Sequence, residues 1–429
     1  MRHLFTISAL VASILAVSSQ KSAAAPKTWD GGGANSLWSN GVNWDANTAP
    51  SPGDSLTFGL SVRFVNTNDF ANNTAFSGIT FSSGVLSHTL RGNTINLSGG
   101  INNLDDSLQT ISLGLNLVDN IVISANNAAV AGGIAISGNI TESGGSYGIT
   151  KEGARTLTLA GNNSFSGGLT INGGTVVVGS ANALGSANAV SGTSAGTLQL
   201  AGSSVTISGL TAGVNVQNGS AVLSSTLTVN KAAGSDTHNG NIQNGNSATL
   251  ALAKTGAGTL ILNGANSYSG GTTLSGGVVQ AGSGSALGTG GVNFNGGALA
   301  TVNNTLNLGA LTLTADSQLY LSDDGLTSSI TFASATRSGG VLSIYGWSGV
   351  EEVASDDDAI FITSAPDQAF LDNVWFDIGG QMFIATMSGN ELVPSLTPVP
   401  EPTEWALIIF ATLALLYKFV LPRFRKSVA

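Results

Sequence analysis

Apolar and polar residues alternate along most of this chain in short strings. Thr156-Leu-Thr-Leu159 and Thr259-Leu-Ile-Leu262 set leucines at every second position, the period of a half-buried strand. Phe58, Phe64, Ile79-Thr-Phe81, Ile95-Asn-Leu97, Ile111-Ser-Leu113, Ile121-Val-Ile123 and Ile134-Ala-Ile136 recur at intervals of roughly 10–20 residues. Antiparallel hairpins give such spacing. So does a parallel β-helix, whose coil of about 20 residues holds two or three short strands. Gly and Asn suit the corners of such a coil because they tolerate a left-handed backbone.

A long repeat favours the coil. Residues 151–185 recur at 254–288 with a constant offset of 103 and no gap, and 21 of the 35 aligned positions are identical. Further out, Gly138-Asn-Ile140 answers to Gly240-Asn-Ile242, and Gly196-Thr-Leu198 to Gly297-Ala-Leu299. A duplicated block that keeps its turn spacing stacks naturally as successive coils. The expected fold is therefore all-β: a right-handed parallel β-helix (solenoid) over 55–315. A cap at 26–54 precedes it, and a β-rich C-terminal cap at 316–393 follows, with strands at 341–345, 359–363, 374–376 and 382–385. A Pro-bearing linker at 394–403 and a single C-terminal transmembrane helix with its basic tail at 404–429 complete the chain.

Composition narrows the function. Apolar residues make up 42% of 429, enough for a core, while only 9% are charged. The absence of cysteine excludes a disulfide framework, thiolate catalysis and a zinc finger. Between Pro26 and Pro400 there are 8 basic residues against 22 acidic, a balance of −14. A nucleic-acid-binding surface needs the opposite sign, so nucleic acid is not an expected partner.

Candidate chemistry is thin. Trp29, Trp38 and Trp44 are three of only six tryptophans. They read as a lid over the open end of a stack, with a sugar-stacking platform as the rival. His88 and His238 stand far apart, more in keeping with surface residues than with a metal pair. Asp69, Asp105, Asp106, Asp119, Glu142, Glu152 and Asp236 are scattered, whereas a glycan hydrolase needs convergent carboxylates. Lys151 and Lys254 recur with the repeat, which fits a turn or ladder role. Asp356, Asp357 and Asp358 read as a solvated acidic loop, without calcium-binding spacing. No catalytic residue, cofactor or metal site is expected. A β-helical polysaccharide lyase or hydrolase remains the alternative.

The two ends carry targeting signals. Arg2 and His3, the apolar stretch from Leu4 to Val17, and Ala23-Ala24-Ala25 before Pro26 form a secretory leader, with cleavage expected at Ala23 and Ala25. At the other end, Pro400, Glu401 and Pro402 precede an apolar span of about 17 residues. Trp405 and Tyr417 are placed as its interface anchors, and Arg423, Arg425 and Lys426 form a basic tail on the cytoplasmic side. This order of parts resembles the PEP-CTERM sorting signal. The resemblance implies recognition of Pro400, Glu401 and Pro402 by an exosortase. It also implies cleavage near them, passage through the inner membrane, and release to the cell surface or extracellular matrix of a Gram-negative-type bacterium. A plain membrane-anchored surface protein, never cleaved, is the other reading of the tail.

The motif at 156–170 and 259–273, Thr-Leu-x-Leu-x-Gly-x-Asn-Ser-[Phe/Tyr]-Ser-Gly-Gly-x-Thr, looks like the autotransporter-associated β-strand repeat of exported passenger segments. The resemblance implies a surface-exposed β-helix and transfers no catalytic residues. Self-translocation is not expected, because a single apolar helix stands where an autotransporter carries a membrane β-barrel. The functional expectation is an exported structural or adhesive protein without catalysis. Its partners would be the exosortase and secretion machinery, with extracellular polysaccharide as the candidate ligand.

Overall fold

The computed structural model describes residues 26–126, 132–185, 188–322, 327–348 and 358–398. They build an all-β parallel solenoid of about 12 turns. One face of the first part stacks Pro26–Trp29, Ser55–Phe58, Gly78–Phe81, Ile101–Asn103, Ile121–Ala125, Ile149–Glu152, Leu169–Ile171, Ala189–Gly192 and Gly209–Leu210. A second face runs from Val65–Asn68 to Ile242–Gln243. A short third face holds Thr74–Phe76, Ile95–Leu97, Leu115–Leu117 and Ile140–Glu142. Between Val205 and His238 the stack changes faces. New columns begin at Val205–Ile207 and Ser235–His238 and run in parallel to Ser329–Arg337 and Val374–Ile378.

Period-2 alternation builds these rungs. Thr156–Leu159 buries Leu157 and Leu159 and turns its threonines outward, and Leu250–Thr255 buries Leu250, Leu252 and Lys254. Parallel register then stacks like upon like. Leu157, Val176, Leu198, Val216 and Ile242 form one continuous apolar ladder across five rungs. Each such side chain contributes about 1.5–3 kcal/mol on burial. A charge at Leu198 would cut the ladder at its centre. The register steps from Ile149 to Leu169 to Val190 are 20 and 21 residues. From Leu252 through Thr272 and Val292 to Leu311 they are 20, 20 and 19, the coil length expected from the spacing.

The first coil is closed by the three tryptophans, all fully buried. Trp29 and Trp44 meet edge to face at 5.2 Å, Trp38 and Trp44 at 6.1 Å, and all three rings pack on Phe58. Their indole N–H groups donate to Arg63 O, Asn66 Oδ1 and Trp38 O at 3.1, 2.8 and 2.8 Å. No indole face is left for a sugar, which removes the platform reading at this end.

The parallel stack does not stop at residue 315. Ser317–Tyr320, Leu342–Tyr345 and Val374–Ile378 continue it in register. Tyr320, Tyr345 and Trp375 sit half-buried on the outward side, while Leu319, Ile344 and Phe376 carry the apolar column on. Gln381–Ser388 then pairs antiparallel with Val374–Ile378 and with Glu391–Pro398, and these last two strands fold back over the end. The last strand takes in residues 394–398, the start of the expected linker; Pro394 and Pro398 are accommodated there because edge strands tolerate proline. Among the described residues the one α-helix is Gln368–Leu371, and no helix is long and apolar enough to cross a membrane. The expected membrane helix at 404–429 lies outside the described residues.

Candidate functional site

The repeat at 151–185 and 254–288 is built around a buried cation. Alternation from Ile149 and Leu252 turns Lys151 and Lys254 inward, and both are fully buried. In register, Lys151 sits between Ile123 and Ile171, and Lys254 between Val229 and Leu274. Each ammonium reaches back to the corner. Lys151 Nζ donates to the carbonyls of Glu152 and Gly153 at 2.7 Å and, on the next coil, to Gly173 at 3.3 Å. Lys254 Nζ repeats this with Thr255, Gly256 and Gly276 at 2.7, 2.8 and 3.2 Å. The corner needs glycine: Gly174 and Gly277 have φ of +65° and +59°, and a Cβ there would collide with the carbonyls of Arg155 and Gly258. Burial pulls both lysines down to about 8, against the opposing pull of Glu152 on the first and Asp236 on the second. They are therefore still charged at neutral pH. Enclosed and held by carbonyls, neither faces a substrate as a lyase base would.

The motif asparagine is the second half of the clip. Asn163 Oδ1 accepts from Ile140 N at 2.8 Å on the preceding coil, and Nδ2 donates to Ala183 O at 2.6 Å on the following one. Asn266 does the same with Ile242 N and Ala286 O at 2.8 and 2.6 Å. One side chain thus ties three coils together. Phe165 and Tyr268, two residues on, are fully buried, and the Tyr268 hydroxyl meets Thr272 Oγ1 at 2.7 Å. Ser180 and Ser283 close the unit by donating to Gly161 O and Gly264 O at 2.9 and 3.0 Å.

The other candidate residues are spread over separate corners. Asp105 is buried and accepts from Val85 N and Ser107 N, while Asp106 stays exposed. Glu142 accepts from Tyr147 N and Ser166 Oγ; these bonds hold its carboxyl below the usual range against the opposing effect of burial. Asp69 takes Ser39, Glu152 takes Asn172 Nδ2, and Asp236 pairs with Lys231 at 2.5 Å. Among the described residues no group of three or more His, Asp or Glu gathers to hold a metal ion.

Three expectations are corrected. His88 and His238 are not surface residues: both are fully buried. His88 lies among Phe58, Phe64 and Phe81, and its Nε2 is 3.1 Å from Gly59 O. Neither ring nitrogen of His238 has a partner, and burial pushes its pKa down to about 4. Nor is Asp358 solvated. It is buried, accepting from Ser328 N at 2.7 Å and Ser348 Oγ at 3.1 Å. Asp356 and Asp357 lie outside the described residues. So do Ala23, Ala25, Pro400, Glu401, Pro402, Arg423, Arg425 and Lys426.

The flank of the third face offers a polar, uncharged surface. Asn116 Nδ2 donates to Asn96 Oδ1 and Ser143 Oγ at 2.7 Å, and Thr141 Oγ1 donates to Asn116 Oδ1 at 3.0 Å. With Asn72, Asn73 and Thr94 these residues line a shallow hollow of about 440 Å³.

Two segments of the chain, 149–178 and 252–281, match the family described as the passenger-associated-transport repeat. They coincide with the two lysine–asparagine clips. No curated protein and no solved structure matches the chain.

Proposed function

We propose that this chain is an exported, surface-exposed passenger-type β-helix with a structural and adhesive role. The observation that carries this reading is the passenger-associated-transport repeat, present twice as the same clip within one parallel solenoid. Such a clip resists unfolding between coils and leaves the outer flank free to vary. The Asn/Thr hollow on the third face supports contact with the hydroxyls of a matrix polysaccharide.

Delivery in this reading follows the terminal signals. The leader is removed at Ala23–Ala25, and an exosortase-type enzyme acts on Pro400, Glu401 and Pro402. The helix and Arg423, Arg425 and Lys426 hold the intermediate in the inner membrane until that cut. Mass spectrometry of the cell-associated protein tests the route. A mature chain beginning near Pro26 and ending near Pro402 is the expected result; an intact tail in the membrane fraction would contradict it. Protease shaving of whole cells, with sedimentation of the chain with purified matrix polysaccharide, tests the surface and adhesive parts.

A further inference from the structure

Aromatic side chains meet solvent at the C-terminal end of the solenoid. Tyr320 and Tyr345 are register partners on adjacent rungs, on the side opposite the buried Leu319 and Ile344. Their rings stack at 5.2 Å with an interplanar angle of 20°, and both are half-buried. The next rung sets Asp377 opposite Tyr345, with Trp375 beside it. The chain beyond Tyr345 turns through Gly346, Trp347 and Ser348. With Ser322, Asp358 and Asp377 these line a hollow of about 300 Å³. Asp377 belongs to both features, so the tyrosine row leads into the hollow.

One residue of its lining carries an unmet donor. Trp347 is only 6% exposed and packs edge-on against Phe376, yet its buried indole N–H has no acceptor. A buried donor left without a partner is destabilising until something accepts from it. The three N-terminal indoles all have partners, so the missing acceptor is a property of this place and not of tryptophan in this fold.

We propose that the Tyr320–Tyr345 row and the adjoining Trp347 hollow form a binding site for the end of a neutral, hexose-based glycan. The C–H face of a sugar ring packs on the outer face of the stacked tyrosine pair. Its hydroxyls donate to the Asp377 carboxylate, and a hydroxyl oxygen accepts from Trp347 Nε1. Asp358 and Asp377 line the hollow, so a neutral chain is favoured over an anionic one. The volume is at the small end of ligand-sized hollows and suits a terminal sugar. This site rests on the adhesive reading and gives it a location.

The test uses the full chain with cellohexaose, maltohexaose and mannohexaose. Calorimetry measures affinity, and tryptophan fluorescence reports Trp347 and Trp375. At least one oligosaccharide should bind. The Tyr320→Ala, Tyr345→Ala double variant should weaken it by ~10-fold. The Tyr→Phe pair should keep affinity within ~3-fold, since the stacking face survives. Trp347→Phe should lower affinity several-fold with the ring contacts intact. Unchanged affinity in the alanine double variant overturns the site and leaves adhesion standing elsewhere on the flank. Failure of all three sugars also overturns the site; failure of matrix polysaccharide as well removes the adhesive reading with it.

Discussion

The two ends of this solenoid use aromatic residues in opposite ways. At the N-terminal end Trp29, Trp38 and Trp44 are fully buried, interlocked edge to face, and every indole N–H has an acceptor. At the C-terminal end Tyr320 and Tyr345 stack in view of solvent, and Trp347 carries a donor with nothing to bond. The first arrangement seals a column of side chains that would otherwise open into water. The second needs no seal, because the strands Gln381–Ser388 and Glu391–Pro398 fold back over that end with their own backbone. Once closure is done by the chain itself, aromatic rings at the rim are free for other work.

The largest effect should come from breaking the seal. Trp44→Ala removes a ring that touches Trp29, Trp38 and Phe58 and should cost about 3–5 kcal/mol in urea unfolding. A loss under 1 kcal/mol, of the size seen at surface sites, would mean that this end does not close the core.

The middle of the molecule provides the reference for both ends. Asn163→Ala and Asn266→Ala each orphan a buried N–H and a buried C=O on neighbouring coils. Each should cost about 2–3 kcal/mol, and the two costs should agree because the geometry is the same in both copies. Very different costs would show that the copies are not equivalent units.

A pH titration separates the seam between the two stacks from the ends. Burial pushes His238 down to about 4, below its unfolded value near 6.5. Between those values the unfolded chain binds the extra proton, so stability rises with pH through this window and is lost on acidification. By pH 5 the loss should reach about 2 kcal/mol. His238→Leu should flatten the profile there, and an unchanged profile would exclude His238 as its source.

The smallest stability effect belongs to the half-buried tyrosine row. Tyr320→Ala with Tyr345→Ala should cost no more than about 1 kcal/mol in unfolding, the scale of a cross-strand pair. A loss as large as that for Trp44→Ala would make the tyrosines a second seal.

Much of the scaffold could be read directly from residue order. The alternation at 156–159 and 259–262 and the offset of 103 lead to parallel rungs of about 20 residues because both are local, periodic signals. Lys151 was partly legible: it lies two residues after Ile149 and so on the same, inward side. The continuation past residue 315 was hidden. The step from Leu342 to Val374 is 32 residues, which breaks the rhythm while Leu319, Ile344 and Phe376 keep the column. The burial of His238 carries only the faint signal of alternation with Asp236 in Ser235–His238. The span of Asn163 across three coils has no local signal, since Ile140 and Ala183 are brought to it only by stacking.

Continuity of the parallel stack is most directly tested by electron spin distances. The chain has no cysteine, so label pairs can be introduced cleanly. Thr28, Thr57, Thr80, Asn102 and Ser124 are successive register partners on one face. With one label fixed at Thr28, moving the other from Thr80 to Asn102 to Ser124 should lengthen the distance by about 5 Å per step. A separation that fails to grow, or that alternates from one strand to the next as in an antiparallel meander, would contradict the solenoid.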